Sequence, residues 1–586
     1  MSAGKSINKV ALTLFLALLL SACGGSGGDS GDEAEKPGPG PIEEPFTILP
    51  PSVGFGTTPA LSTSDSTFLG DHFSGSGACG VCHNEQTDDN GRDVSITSSW
   101  ETSTMANSAR DPYWRAKAAQ TLKNHPDLAH EVNDTCTRCH APMANEAARR
   151  SNVEPEIFAE GFLNPENEFF DHAMDGVSCT LCHQIEDNGN LGTVAASSGN
   201  FEIAERPPEE KETRPAYGQY ADPLTAYMVA NSEFTPIFGA HMSESAVCAS
   251  CHDLNTSTVD SNGEIIPAVI EDRFPEQQTF TEWQNSDYRT GGSRDANCQA
   301  CHMPKNPTTV LLASSGTDIR RSEFSEHTFL GANTVMLDMF KNFREELGIQ
   351  VTGFDQAIER NREFLKTSAD LTITGTRNEG NNIVATLQIN NNTGHKLPSG
   401  YPSRRVFVHF VVTDENGAII FESGKINPDG SIVGADGDLN FRRFEPHYDT
   451  ISNQDQVLIF ESIMGDTDGN VTHSLVEAAR HLKDNRLTPA GFDKNVVSSD
   501  VAVTGEALLD DNFNAGQDTF EYRIPVLTKG KYFIFADLVY QPLAYGHLEY
   551  LFQDTDLPEV DEFKTIYDST TLLSESISSA IAEHTF

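Results

Sequence analysis

Five short segments share the pattern Cys-x-x-Cys-His, at residues 79–83, 136–140, 179–183, 248–252 and 298–302. Each sets two thiols three residues apart and puts an imidazole directly after the second. This is the spacing of covalent c-type haem attachment. The thiol pairs Cys79/Cys82, Cys136/Cys139, Cys179/Cys182, Cys248/Cys251 and Cys298/Cys301 would each add to the two vinyl groups of one porphyrin. His83, His140, His183, His252 and His302 would then bind the irons from the proximal side. A zinc site or a redox dithiol also uses Cys-x-x-Cys, but neither needs a histidine after every second cysteine. Five repetitions imply five covalent haem c groups.

Each iron keeps a sixth position. A second histidine or a methionine there makes a closed electron carrier, whereas an open position permits ligand chemistry. Of 18 histidines, 13 lie outside the motifs. His172 and His241 each precede a motif cysteine by seven residues, and His72 shares that offset, so all three are candidate distal ligands, each for a neighbouring haem. His395 sits in a loop that can approach a haem from the second half of the chain. His125 and His130 flank the approach to the second motif, and Met105 offers a thioether.

These ligands need elements to hold them. Residues 65–368 are expected to form a pentahaem domain of short helices and long loops, because porphyrins replace side-chain core. Asp111-Pro112 is a helix start leading to Asn124. Met336, Phe340, Phe343 and Leu347 keep helical spacing up to Gly348, and a further helix is expected over 354–367. Trp100-x-x-Ser103 and Trp283-x-x-Ser286 form a weak internal repeat. From 369 to 586 the period changes to two: Ile383, Ala385, Leu387 and Ile389 alternate with polar residues, as do Phe520, Tyr522 and Ile524. This half reads as an antiparallel β-sandwich with a long insertion over about 424–505, including a helix over 474–483. The fold class is therefore α+β and multidomain. Asp/Gly clusters at 428–438 and 465–469 read as surface loops more readily than as calcium loops.

Ten of the eleven cysteines belong to the motifs. The eleventh, Cys23, ends an apolar run preceded by Lys5 and Lys9. Residues 1–22 thus have the form of an export signal too short to span a bilayer. Residues 23–64, rich in Gly, Ser and Pro, form a tether. The formal net charge is −46, from 40 basic and 86 acidic residues. That balance speaks against nucleic acid and against docking on anionic lipid.

The haem half resembles multihaem cytochromes of the cytochrome c-552/c-554-like group. The resemblance rests on residues 100–114 (WETSTMANSARDPYW), the Cys-Thr-x-Cys-His motifs, Gly176-Val-Ser-Cys179 and Cys298-Gln-Ala-Cys-His-Met-Pro304. The loop Gly394-His-Lys-Leu-Pro-Ser-Gly400 also resembles one in β domains appended to such cytochromes. The resemblance implies electron transfer through packed haems outside the cytoplasm, with other cytochromes as redox partners. It also implies a late distal histidine, matched by His327 in Glu326-His-Thr-Phe329. The family's Trp-x-x-Ser-x-His is not matched, because Met105 and Tyr288 stand at the last position. Leu20-Ser-Ala-Cys23 resembles a lipobox, which implies lipidation of Cys23, a membrane anchor, and sorting to the outer membrane. The alternative function is a multihaem oxidoreductase acting on a small nitrogen or sulfur compound at one open iron. The Cys-x-x-Cys-Lys typical of pentahaem nitrite reductases is missing, and Tyr288 is the one tyrosine suggestively placed for a haem cross-link.

Overall fold

Helix starts and stops in the first half follow local chemistry. The computed structural model describes residues 66–203, 205–260, 263–266 and 273–586, so Cys23, the export signal and the whole of the tether lie outside it. The first motif ends helix α1 (Ser76–His83). Helix α2 (Pro112–Asn124) begins where the Asp111 carboxylate accepts the backbone N–H of Tyr113 and Trp114 at 2.9 and 3.0 Å, with Pro112 at the first position. The second motif ends α3 (Ala129–His140), the third forms α4 (Cys179–Cys182), and the fourth ends α5 (Ser245–His252). After α6 (Thr279–Gln284) the fifth motif forms α7 (Cys298–His302). Helices α8 (Thr334–Asn342) and α9 (Phe354–Lys366) follow. Helix α8 stops six residues before Gly348, and Phe343 and Leu347 lie in turns. Replacing Asp111 with alanine removes two accepted N–H bonds. It is expected to lower unfolding free energy by about 1 kcal/mol in denaturant melts, the usual worth of an N-cap.

The second half builds two sheets. The strands are β1 (Ala369–Glu379), β2 (Asn382–Asn391), β3 (Arg405–Asp414), β4 (Ile419–Ser423), β5 (Thr450–Ile451), β6 (Ile459–Gly465), β7 (Arg480–Asp484), β8 (Gln517–Pro525), β9 (Lys531–Gln541) and β10 (Glu575–Thr585). One sheet has the order β5-β8-β2-β1 and the other β7-β6-β3-β9-β10, with β4 also on β3. Pairing is antiparallel except for β5 on β8. The alternating residues read from the sequence face one another between the sheets. Leu387 of β2, Phe520 and Tyr522 of β8, and Val408 and Phe410 of β3 share one core, and Phe410 stacks on Tyr522 with ring centres 3.7 Å apart. Strand β3 is apolar on both faces because the insertion covers its far side. There Phe407 packs with Ile432, Val457 and Ile459.

The expected helix over 474–483 does not form. Leu475–Glu477 makes one 3-10 turn, and the chain then enters β7 beside β6. Local propensity favours a helix there, but tertiary pairing overrides it. The buried Lys483 ammonium donates to the Ile459 carbonyl at 3.0 Å and pairs with Glu461 at 2.9 Å. The Asp/Gly cluster at 465–469 closes as a turn, in which Asp466 accepts the backbone N–H of Asn470.

The two halves interlock. Helix α10 (Pro558–Ser569) packs along α2, with the rings of Tyr113 and Phe563 5.3 Å apart. Gln120 donates to the Asp554 carboxylate, and Lys117 to the His473 carbonyl. All described residues fall in one compact unit. Among them no helix is long and apolar enough to cross a membrane.

Candidate functional site

Each Cys-x-x-Cys-His segment lies on a helical turn. Positions i, i+3 and i+4 of a helix share one face, so both thiols and the imidazole point the same way. All ten motif cysteines and all five motif histidines line one continuous cavity of about 1360 Å³, well beyond the usual range for a single small ligand. The motifs are adjacent within it. Cys79 meets Cys179, Cys139 meets Cys251, and Cys248 meets Cys298 at hydrogen-bonding range, with Cys182 close to Cys248 and Cys251. The five turns are thus one connected set. Burial pushes the thiols of Cys136 and Cys182 up, to about 12 and about 11.

Two further histidines enter the cavity, and both face a motif histidine. His327 lies with its ring centre 6.4 Å from that of His183, the planes 22° apart. His395 lies 6.3 Å from His302, the planes 19° apart. Two imidazoles binding one metal ion from opposite sides at about 2.0–2.1 Å, with ring nitrogens roughly 1.1 Å from ring centres, put those centres roughly 6.3 Å apart. Both pairs match that separation. The second ring nitrogen is held in every case. Nδ1 donates to the carbonyl of Tyr217 from His183 (2.5 Å), of Leu330 from His302 (2.5 Å), of Ser325 from His327 (3.0 Å) and of Lys396 from His395 (2.8 Å). This fixes the tautomer with Nε2 free, the arrangement by which proteins present a histidine to a metal. Burial keeps three of the four neutral: His327 falls to about 3, with the His183 ring adding to the effect, and His183 and His302 also fall.

The other motif histidines differ. The His140 ring stacks on Trp114 at 4.6 Å, and its Nδ1 donates to the Ser108 carbonyl at 3.2 Å. Burial lowers His140 and His252 to about 4. Around the second motif the buried hydroxyls of Tyr113 and Tyr401 lie at hydrogen-bonding range of each other, the Trp114 indole lies near Cys136, and one Glu276 oxygen is buried without a hydrogen-bond partner. Met105 also lines the cavity.

The remaining candidates lie elsewhere. His72 and His172 are near one another, with the His172 ring against Phe68 at 4.3 Å, and neither lines the cavity. His241 is buried outside the lining, and its Nε2 faces the Ile185 carbonyl at 3.0 Å. His125 pairs with Glu477 at 3.3 Å, and His130 with Glu154 at 2.9 Å.

The tryptophan repeat acquires a physical meaning. The Trp100 indole donates to the Val177 carbonyl and the Trp283 indole to the Ala296 carbonyl, both at 2.9 Å. Each carbonyl lies two residues before a motif cysteine, so each tryptophan clamps the chain entering a motif. Gly176 permits the first clamp. Its φ is +61°, and a Cβ there would lie 2.5 Å from the Ala106 carbonyl oxygen.

The loop bearing His395 is held by a buried charge network that the sequence did not signal. The Lys396 ammonium pairs with Asp484 at 2.7 Å, and Arg486 pairs with Asp484 at 2.7 Å and with Glu282 at 2.9 Å. The other Glu282 oxygen accepts the Lys396 backbone N–H at 3.1 Å and the Ser399 hydroxyl at 2.6 Å. Glu282 belongs to α6 of the first half, so the network spans both halves. Tyr288 makes a separate link between the halves, donating to the Asn392 carbonyl at 2.8 Å.

No family model and no curated protein matches the chain. Among solved structures it is similar to a penta-heme cytochrome c552 from Thermochromatium tepidum, at 16% sequence identity, with a TM-score of 0.47, over 88% of this chain and 100% of that one. A likeness this distant does not carry a function, which is read instead from the residues above.

Proposed function

We propose that the chain is a c-type cytochrome that moves electrons outside the cytoplasm through five covalently held haems. One observation carries the reading: five Cys-x-x-Cys-His turns converge on one cavity, where two of their histidines face a second imidazole at metal-bridging distance. When bound, the haems supply reversible one-electron chemistry. The chain's own part is to fix tautomers, keep imidazoles neutral and exclude water, which together set the potentials. The β-sandwich half has a direct role in this reading, because it brings His395 to the fifth motif. Tyr288, engaged with Asn392, serves the interface between the halves. Cys23 would carry a lipid that holds the protein at the outer membrane, with other cytochromes as electron donors and acceptors.

A second reading is favoured by the buried Tyr113 and Tyr401 hydroxyls and the unpartnered Glu276 oxygen around the second motif. Such groups suit a small polar ligand, and here the iron of the second motif would be open, as in an oxidoreductase for a nitrogen or sulfur compound. Spectroscopy separates the two. Electron paramagnetic resonance of the oxidised protein is expected to show low-spin iron at every site, and the reduced protein to ignore carbon monoxide. A single high-spin iron that binds nitrite, hydroxylamine or carbon monoxide would favour the second reading. A purified exported protein whose mass shows no added haem would overturn both.

A further inference from the structure

A second cluster of charged groups lies in the β half, away from the cavity. Asp518, the second residue of β8, is 0% exposed, and neither of its carboxylate oxygens has a hydrogen-bond partner. The neighbouring Thr519 N–H is taken by Asn512 at 2.6 Å. Asp510 is also buried, and Asp449 adjoins it at hydrogen-bonding range. His447 Nε2 stands 3.3 Å from Asp510 and 4.0 Å from Asp518, and these three groups place their ligand atoms within 4.8 Å of one another. Carboxylates gathered this closely repel, and the one without a donor bears the full cost of desolvation.

The local charges leave a deficit. Lys494 donates to the Ala507 and Asp510 carbonyls and is the cation beside the cluster. With all three carboxyls ionised, as a bound cation would hold them, and the imidazole neutral, these groups and the one ammonium sum to −2.

Hydrogen bonding fixes the role of His447. Asn485 accepts the Glu461 N–H through its oxygen at 3.0 Å, so its nitrogen donates, to the Ile459 carbonyl at 2.8 Å and to His447 Nδ1 at 3.1 Å. Nδ1 is therefore an acceptor and Nε2 carries the proton. The imidazole donates to Asp510 and orients it, and the donors left for a ligand are carboxylate oxygens, which select hard cations. Asp449 is exposed and gives a way in from solvent.

We propose that Asp449, Asp510 and Asp518 bind one hard divalent cation of calcium's chemistry, with the His447 N–H fixing Asp510. Asp449 immediately precedes β5 and Asp518 lies in β8, the strand on which β5 pairs in parallel, so the ion ties this edge strand to its sheet. The inference stands on the β half alone and does not depend on the haem reading.

The full-length, haem-loaded protein is stripped with a chelator and titrated with calcium chloride. One calcium per chain is expected by equilibrium dialysis, with Tm rising by about 2–5 °C at a hundredfold excess over Kd. Asp518→Asn is expected to abolish the response and, by removing an unpaired buried charge, to raise the Tm of the calcium-free protein. Asp449→Asn, at an exposed position, guards against a folding defect and is expected to weaken binding at least tenfold. The proposal is overturned if no calcium binds, or if binding survives both substitutions. It is equally overturned if zinc binds where calcium does not and His447→Ala abolishes it, because the imidazole would then be a ligand.

Discussion

Replacing His395 with alanine is expected to turn one of the five irons high-spin and to make one-fifth of the reduced haem reactive toward carbon monoxide. The expectation follows from the 6.3 Å spacing of the His302 and His395 rings and from the hydrogen bonds that leave both Nε2 atoms free. His327→Ala should do the same at the third motif, and the double variant should expose two-fifths. His241→Ala is the informative control. Its ring is buried but outside the cavity lining, with Nε2 against the Ile185 carbonyl, so spin state should not change. Optical titration with carbon monoxide and electron paramagnetic resonance read all four proteins. Five low-spin irons in His395→Ala would exclude that residue as a ligand and remove the assigned role of the β half.

Asp484→Ala is expected to cost about 3–5 kcal/mol of stability, because it strands the buried Lys396 and Arg486 charges together. Burial alone would raise the Asp484 carboxyl, but Arg486 and Lys396 outweigh it and hold the group well below the usual carboxylate range. A carboxylate depressed on folding stabilises the native state above its unfolded pKa, near 3.9, and loses that contribution as pH falls toward the folded value. The penalty of the substitution should therefore be constant from about pH 5 to pH 8 and shrink in acid. Denaturant melts at several pH values measure it. The loop carrying His395 is fixed by the same charges, so the spectrum of the fifth-motif haem should change in this variant even where the protein remains folded.

Much of this was legible in the chain because the signals were local. The motif spacing needs only one helical turn to converge, Asp111-Pro112 starts a helix by its own chemistry, and the strands of the second half alternate residue by residue. His395 could be named as a candidate from its loop, and His327 from the resemblance of Glu326-His-Thr-Phe329 to a family motif. The offset of seven residues drew attention to His72, His172 and His241, but an offset along the chain says nothing of which cavity a ring enters. The helix expected over 474–483 failed for a related reason. Its residues favour helix in isolation, and only the pairing with β6 and the buried partners of Lys483 decide otherwise. The role of Glu282, Asp484 and Arg486 was invisible because Glu282 lies about 200 residues from the other two and they acquire meaning only when the halves meet.

The final strand sets a clock on assembly. Strand β10 pairs along nearly the whole of β9, and its first residue, Glu575, accepts hydrogen bonds from Arg362 of α9 and Thr334 of α8, more than 200 residues upstream. A polypeptide emerges from its N-terminus, so all five motifs are exposed to other enzymes before residue 575 exists to lock those helices down. Contacts this distant in sequence form slowly. On the function proposed above, the interval between the appearance of His302 and the docking of Glu575 is therefore a period in which the motif thiols lie within reach of the machinery that would attach the haems.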